Sequence, residues 1–295
     1  MKKTLLLLIV VSYITTTAYA QHYLGLSLAG DVPLMTDRTD LTRTLAGGGA
    51  EVGMTYQFQN RHFALQTGIG ISLQFPRVGL SDTELEMPMV DTRGVDFLYK
   101  GDLVERTDQI NQYLFTIPLL LGYAGEHAYV MAGARLCLNM AATSTIQARL
   151  RTIGDYYDRY YEVFHDMPNH GYHDYLPVQS RGKIALNHDL QLYAETGYRL
   201  SLRAQRYNPR TGQTGTVLQL GLFVAYGLNN LQSGKTTQTL LEPDYSQYMA
   251  VEMNHVYATT EAKDAKVHCL EVGLKATVLF GFGSAHRNDK CHCSR

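Results

Sequence analysis

The sequence predicts an all-β chain, a transmembrane antiparallel up-and-down β-barrel of about eight strands with long outer loops and short periplasmic turns. Three observations carry this. Apolar residues recur with a period of two through long segments, the connections between those segments alternate between short and long, and the chain opens on an export signal. Composition agrees. Charged residues supply 18% of the chain, below the roughly 25% of soluble domains, and the 45% hydrophobic fraction is too high for a disordered chain. With 26 Lys+Arg against 27 Asp+Glu the net charge is −1, which lacks the basic footprint that nucleic-acid binding requires. The 21 Tyr and 26 Gly, with no Trp, suit strands and turns.

Residues 1–20 read as a signal peptide: Lys2 and Lys3, an apolar run from Leu5 to Val11, then Ala18-Tyr19-Ala20 as a small-x-small cleavage site. That run falls short of the about 20 apolar residues of a helical span. The mature chain is expected to start at Gln21, which is not the Cys a lipid anchor needs. The barrel domain is expected over 21–283, followed by a Cys-containing tail over 284–295.

The period of two is clearest over His62 to Phe75. Phe63, Leu65, Thr67, Ile69, Ile71, Leu73 and Phe75 hold one parity, while Ala64, Gln66, Gly68, Gly70, Ser72 and Gln74 hold the other. The same pattern recurs over 50–58, 190–195, 218–224 and 270–280, with less clean candidates at 23–30, 111–123 and 128–140. A membrane strand needs about 9–11 residues, and these suffice. Phe58 to Phe63 and 124–127 are tight links, whereas 31–46, 76–110, 141–188 and 228–267 are long and polar. The segment Tyr248 to Tyr257 also alternates, which leaves open ten strands, or strands extended above the membrane.

Placing Lys275 toward lipid at mid-depth would cost about 2–4 kcal/mol, so the charged parity is expected to face the lumen. Glu51, Arg135, Glu195, Glu271 and Lys275 are then the expected members of an internal polar network, filling a cylinder just wide enough for side chains. Tyr56, Tyr113, Tyr123, Tyr198 and Tyr226 lie near strand ends, as interfacial girdles require.

Four segments carry a family resemblance: "LQTGIGISLQF", "FTIPLLLGY" with Ile117-Pro118-Leu119, "YVMAGARLCL" with Gly133, and "LYAETGYRL". Together they resemble the PorT-like outer-membrane β-barrel family of Bacteroidetes over roughly residues 23–283. The resemblance implies the barrel fold and, through one member class, a link to type IX protein secretion. Its motifs encode barrel geometry and no chemistry.

Few residues point to chemistry. His165, Asp166, His170, His173 and Asp174 bring imidazoles and carboxylates close enough in sequence to suggest a divalent metal, although the spacing matches no helical metal motif. Tyr156, Tyr157, Tyr160 and Tyr161 beside them suit a recognition patch for protein or glycan. Ser144, His188 and Asp189 are the parts of a hydrolytic triad, without a GxSxG elbow. Cys137 and Cys269 fall on the lumen parity; a disulfide between them needs Cα atoms within about 7 Å, which the sequence leaves open. Cys291, His292 and Cys293 provide three ligands, one short of a closed metal site.

The expected function is non-enzymatic, a structural or interaction role through outer loops, without a cofactor. The expected partners are outer-membrane lipid and other envelope or secretion proteins. The alternatives are a PorT-like secretion component, a surface metal-binding protein or barrel hydrolase, and a soluble periplasmic barrel of lipocalin type.

Overall fold

Eight strands close on themselves. In the computed structural model they are β1 (Ala20–Thr36), β2 (Thr42–Asn60), β3 (Phe63–Leu80), β5 (Asp96–Ala124), β6 (Ala128–Asp155), β9 (Asp189–Ser201), β10 (Gln213–Gly227) and β13 (His268–Phe282). Their order around the cylinder is β5-β3-β2-β1-β13-β10-β9-β6, all pairs are antiparallel, and β5 pairs β6 to close it. Closure leaves the barrel wall no open edge, the only way strands can satisfy their backbone groups in lipid. The structure describes residues 20–37, 42–80, 83–202, 213–234, 239–244 and 250–282. The signal segment 1–19, most of the 202–215 link, and the tail with Cys291, His292 and Cys293 lie outside the described residues. Among the described residues no helix is long and apolar enough to cross a membrane.

The pattern of exposure is that of a protein turned inside out. Leu26, Leu28, Val52, Ile69, Ile71, Leu119, Leu192, Leu222 and Leu274 all stand on the outer surface, Leu274 with 65% of its area exposed. Ser27, Gln66, Ser72, Gln74, Gln191, Gln219 and Thr277, from the opposite parity, are buried in the lumen. Tyr113 to Tyr123 on β5 bound the apolar belt. At about 3.3 Å per residue and a tilt of about 40° the span between them is about 25 Å tall, the height of an outer-membrane belt.

The outer connections differ from expectation. The stretches 76–110 and 141–188, read as long polar loops, are mostly strand: β5 runs 29 residues and β6 28, paired from Leu98↔Asp155 down to Ala124↔Tyr129. They rise as a ribbon flanked by β4 (Thr83–Val90) on β5, and by β7 (Val163–Phe164) and β8 (Leu176–Lys183) on β6. Two bulges hid it. At Met140 one extra residue on β6 opposes the Tyr113/Leu114 step. Inward positions change there from odd (Arg135, Cys137) to even (Ala142, Ser144, Ile146, Ala148, Leu150). A second irregularity lies between Val104 and Thr107, where Glu105 has φ 55°. Each flips the alternation. Above Met140 the polarity inverts as well, with Thr143, Thr145, Gln147 and Arg149 outward and apolar residues inward, as water rather than lipid demands.

The described part of Tyr248 to Tyr257 supplies no barrel strand. Of its described residues, β12 (Ala250–Met253) pairs only with β11 (Leu241–Asp244), and short 3₁₀ turns follow at Val256–Ala258 and Thr260–Ala262. Among the described residues, therefore, eight strands form the barrel wall.

Candidate functional site: a filled lumen, a capped mouth and a tyrosine crest

The five lumen residues singled out by parity meet inside the barrel as two linked groups. In the first, the Arg135 guanidinium pairs with Glu271 and lies 3.3 Å from Glu51 Oε2. Arg135 Nε donates to Gln191 Oε1 at 2.7 Å, and Gln191 Nε2 donates to Glu271 Oε1 at 2.7 Å. In the second, Lys275 Nζ is 2.8 Å from Glu195 Oε2. Glu195 also accepts the Tyr129 hydroxyl at 2.6 Å and the Tyr193 hydroxyl at 3.2 Å. Tyr193 joins the two groups, its ring centre 5.2 Å from the Arg135 guanidinium and 5.5 Å from Lys275 Nζ. Parity could name the charges; Gln191, Tyr129, Tyr193 and Phe223 share that parity but their sequence gives no sign of a charged partner. Gly221 matters here because a Cβ at that position would sit 2.3 Å from the Tyr129 hydroxyl. The absence of a side chain lets the phenol reach Glu195.

The outer mouth is closed by the chain itself. The link between β10 and β13 folds into the opening, where Leu231, Leu240, Val256, Tyr257, Ala262 and Ala265 pack on wall residues Met35, Val78, Ile110 and Cys269. A buried ion pair anchors this cap. Arg106 and Asp108 meet at 2.8 Å with both side chains fully buried, Asp108 Oδ2 accepts the Val256 N–H at 2.9 Å, and Arg106 donates to the Asn254 carbonyl. Gln232 Nε2 donates to the Tyr257 and Ala262 carbonyls at 3.1 and 2.8 Å. The Tyr257 hydroxyl donates to Asp37 at 3.0 Å. His255 is buried beside the ion pair, and that burial pushes its imidazole down to about 4, against a weaker upward pull from Asp108. Burial, with the Asp37 carboxylate second, pushes the Tyr257 phenol up. Nothing in the sequence marked Arg106, Asp108 or His255: the Glu105 irregularity reverses the parity by which the first two would be read, and His255 lies in the link, where no parity applies.

At the far end of the ribbon, the tyrosines divide. Tyr156 is buried, stacked on Phe97 at 4.6 Å and edge-on to Phe164 at 5.5 Å. Tyr172 packs in the same cluster, over Gly154, where a Cβ would lie 2.3 Å from its ring. Tyr157, Tyr160, Tyr161 and Tyr175 are exposed, Tyr161 by 78%, with Tyr157 edge-on to Tyr161 at 5.4 Å. A buried aromatic base thus holds up an exposed aromatic crest.

The expected metal cluster does not assemble. Among the described residues no three His, Cys, Asp or Glu side chains converge on a metal position. His165, Asp166 and His170 sit exposed along a turn that ends at Gly171. The His173 backbone N–H is held by Thr152 Oγ1 at 2.8 Å, and Asp174 faces Arg151 at 3.6 Å. The parts of a triad are also engaged elsewhere: Ser144 donates to the Gly182 carbonyl, His188 Nδ1 accepts the Asn139 N–H, and Asp189 accepts the Asn229 N–H. Cys137 and Cys269 are both buried free thiols.

No family model and no curated protein matches the chain. Among solved structures it is similar to Ail, the attachment invasion locus protein of Yersinia pestis, at 9% identity and a TM-score of 0.30, over 88% of this chain and 99% of Ail. Ail in complex with the heparin analogue sucrose octasulfate aligns at a TM-score of 0.27 over the same shares, also at 9% identity. Neisserial surface protein A aligns at 8% identity and a TM-score of 0.27, over 86% of this chain and 96% of its own. The barrel assignment stands on this chain's own strand pairing and exposed belt.

Proposed function

We propose that the protein is a non-enzymatic interaction barrel of the outer membrane, closed to passage, which presents its tyrosine crest outward to a protein or glycan partner. The observation that carries this is the crest: exposed Tyr157, Tyr160, Tyr161 and Tyr175 on a ribbon stiffened by a buried aromatic cluster. Tyrosine offers large contact area at low entropic cost, and a soluble loop without a binding role gains nothing from exposing four. The filled lumen and capped mouth support a role at the surface rather than in transport. Export by the 1–20 signal, and barrel insertion in the outer membrane with lipid as the first partner, complete the reading.

The test compares barrels in lipid nanodiscs, with the native crest or with the four exposed tyrosines changed to Ser, for retention of envelope proteins and for binding to a glycan array. A ligand that binds the native protein and is lost from the quadruple variant supports the assignment. Identical profiles would sink it. The PorT-like resemblance supports a narrower reading, a component of type IX secretion. Deletion of the gene with unchanged export of surface proteins removes that reading and leaves the first intact.

A further inference from the structure

Just above the apolar belt, β3, β5, β6 and β8 lie side by side, and their outward side chains align in rungs. Arg77 pairs with Gln109, Gln109 with Thr145 and Thr145 with Arg181, so all four share one face. The rung below sets Asn111 beside Thr143 and Lys183, and the rung above sets Thr107 beside Gln147 and Gln179. Arg43 reaches the same face from β2: its Nε lies 3.6 Å from where a Cβ on Gly79 would stand, and Gly79 pairs with Thr107. Every cation of β5 and β6 has a carboxylate partner, as Lys100 has Glu86 and Asp155, Arg149 has Glu105 and Arg151 has Asp174. Arg43, Arg77, Arg181 and Lys183 are exposed, and none lies within 4 Å of a described carboxylate. The three rungs contain no acid at all.

The height of this face above the lipid matters as much as its charge. Phe75, Tyr113 and Met140 are the exposed apolar side chains that end the belt on β3, β5 and β6. A residue climbs about 2.5 Å at a rise of about 3.3 Å and a tilt of about 40°. Arg77 therefore stands about 5 Å above Phe75, while Thr143 and Thr145, the partners of Lys183 and Arg181, stand about 8 and 13 Å above Met140. That is the headgroup level of the outer leaflet, where cations are drawn to anionic lipid. The rungs floor a groove of about 820 Å³ whose lining includes Asn111, Thr143, Thr145, Gln147, Arg181 and Lys183. Gln109 Nε2 donates to Asn111 Oδ1 at 2.8 Å, which fixes the amide row on the groove floor. Up the wall, apolar side chains thus give way to a band of amides and hydroxyls flanked by cations.

We propose that this face binds a phosphorylated glycolipid of the outer leaflet, of the lipid A type. Its acyl chains lie along Phe75, Tyr113 and Met140, its phosphates meet the arginines and Lys183, and its sugar hydroxyls meet the amide and threonine rungs. Arginine suits the phosphate because its planar fork donates two parallel hydrogen bonds. Apolar, anionic and sugar parts stacked in that order belong to one molecule. Phosphatidylglycerol brings the first two without a sugar ring, and a soluble anionic glycan brings no acyl chain. The inference rests on the outer-membrane reading above and adds the lipid that this wall selects.

The experiment mixes the full chain, folded in dodecyl maltoside, with lipid A, with lipid A stripped of its phosphates, or with phosphatidylglycerol. Bound lipid is counted by native mass spectrometry across a concentration series. Retention of lipid A at concentrations at least about tenfold below either control is expected. The combined variant Arg77→Gln, Arg181→Gln and Lys183→Gln should bring lipid A down to the level of its dephosphorylated form. All three side chains are exposed, and heat-modifiable migration shows that the variant is folded. If it does not fold, the ranking of the three lipids by the native chain still decides. Equal retention of the dephosphorylated form, equal retention of phosphatidylglycerol, no lipid retained, or a folded triple variant that binds as before would each overturn the proposal. A chain that still inserts as a heat-modifiable barrel in nanodiscs but ranks the lipids equally loses this site and keeps its place in the membrane.

Discussion

At the residue scale, two side chains decide how the interior responds to change. Arg135 is shared between Glu51 and Glu271 in the packed lumen, with Glu271 fully buried and Glu51 nearly so. Removing one partner of a buried ion pair leaves the other stranded, at about 3–5 kcal/mol. Arg135→Met should therefore lower the unfolding free energy of the barrel in detergent by about that amount, measured from urea-induced loss of heat-modifiable migration. Arg135→Lys should recover only part, because one ammonium cannot span Gln191, Glu51 and Glu271 as a planar fork does. His255 governs the cap. Its imidazole holds a proton only below about pH 4 while buried, but near its ordinary value of about 6.5 once the cap opens. Cap stability is therefore full above pH 6.5 and falls as pH drops from there toward 4, by about 3 kcal/mol in all. Hydrogen exchange of residues 253–258 should quicken over that window. His255→Asn, whose side-chain oxygen can still accept the Tyr257 N–H, should flatten the dependence.

At the element scale, the β5–β6 ribbon is where one polypeptide serves two solvents. Below Met140 its outward face meets lipid and is apolar; above it, the outward face meets water and is polar. The bulges at Met140 and Glu105 let one ribbon do both, adding twist and resetting which residues point inward. The crest depends on the ribbon through Gly154, whose missing Cβ leaves the space that the Tyr172 ring occupies against β6. Gly154→Ala forces that ring away. Limited proteolysis should then cut within 156–175 several-fold faster, while the barrel keeps its heat-modifiable migration, because the clash lies far above the belt. Equal cleavage rates would show that the crest is held by other contacts.

At the scale of the whole molecule, two barriers in series close the lumen: the cap in the outer mouth and the ion-pair network at the level of the belt. An eight-stranded barrel leaves room for side chains and little else. In planar bilayers the native protein should be silent. Deletion of 235–262 should leave it silent, since the Arg135 and Glu195 groups still fill the cylinder. Adding Arg135→Ala and Glu51→Ala to that deletion should give measurable single-channel conductance. Conductance from the native chain would end the reading of a closed interaction barrel.

The sequence alone determined the membrane half of the protein. Lipid imposes a strict period of two, so Leu274 outward and Lys275 inward, and with them the five lumen charges, follow from parity. It did not reveal the ribbon or the cap. The ribbon is masked by single-residue bulges that slip the parity. The Arg106–Asp108 anchor and buried His255 come together across 148 residues of chain. Those features were decided by tertiary structure, because bulge position and the partner of a buried charge depend on how distant strands register, and no local pattern records that.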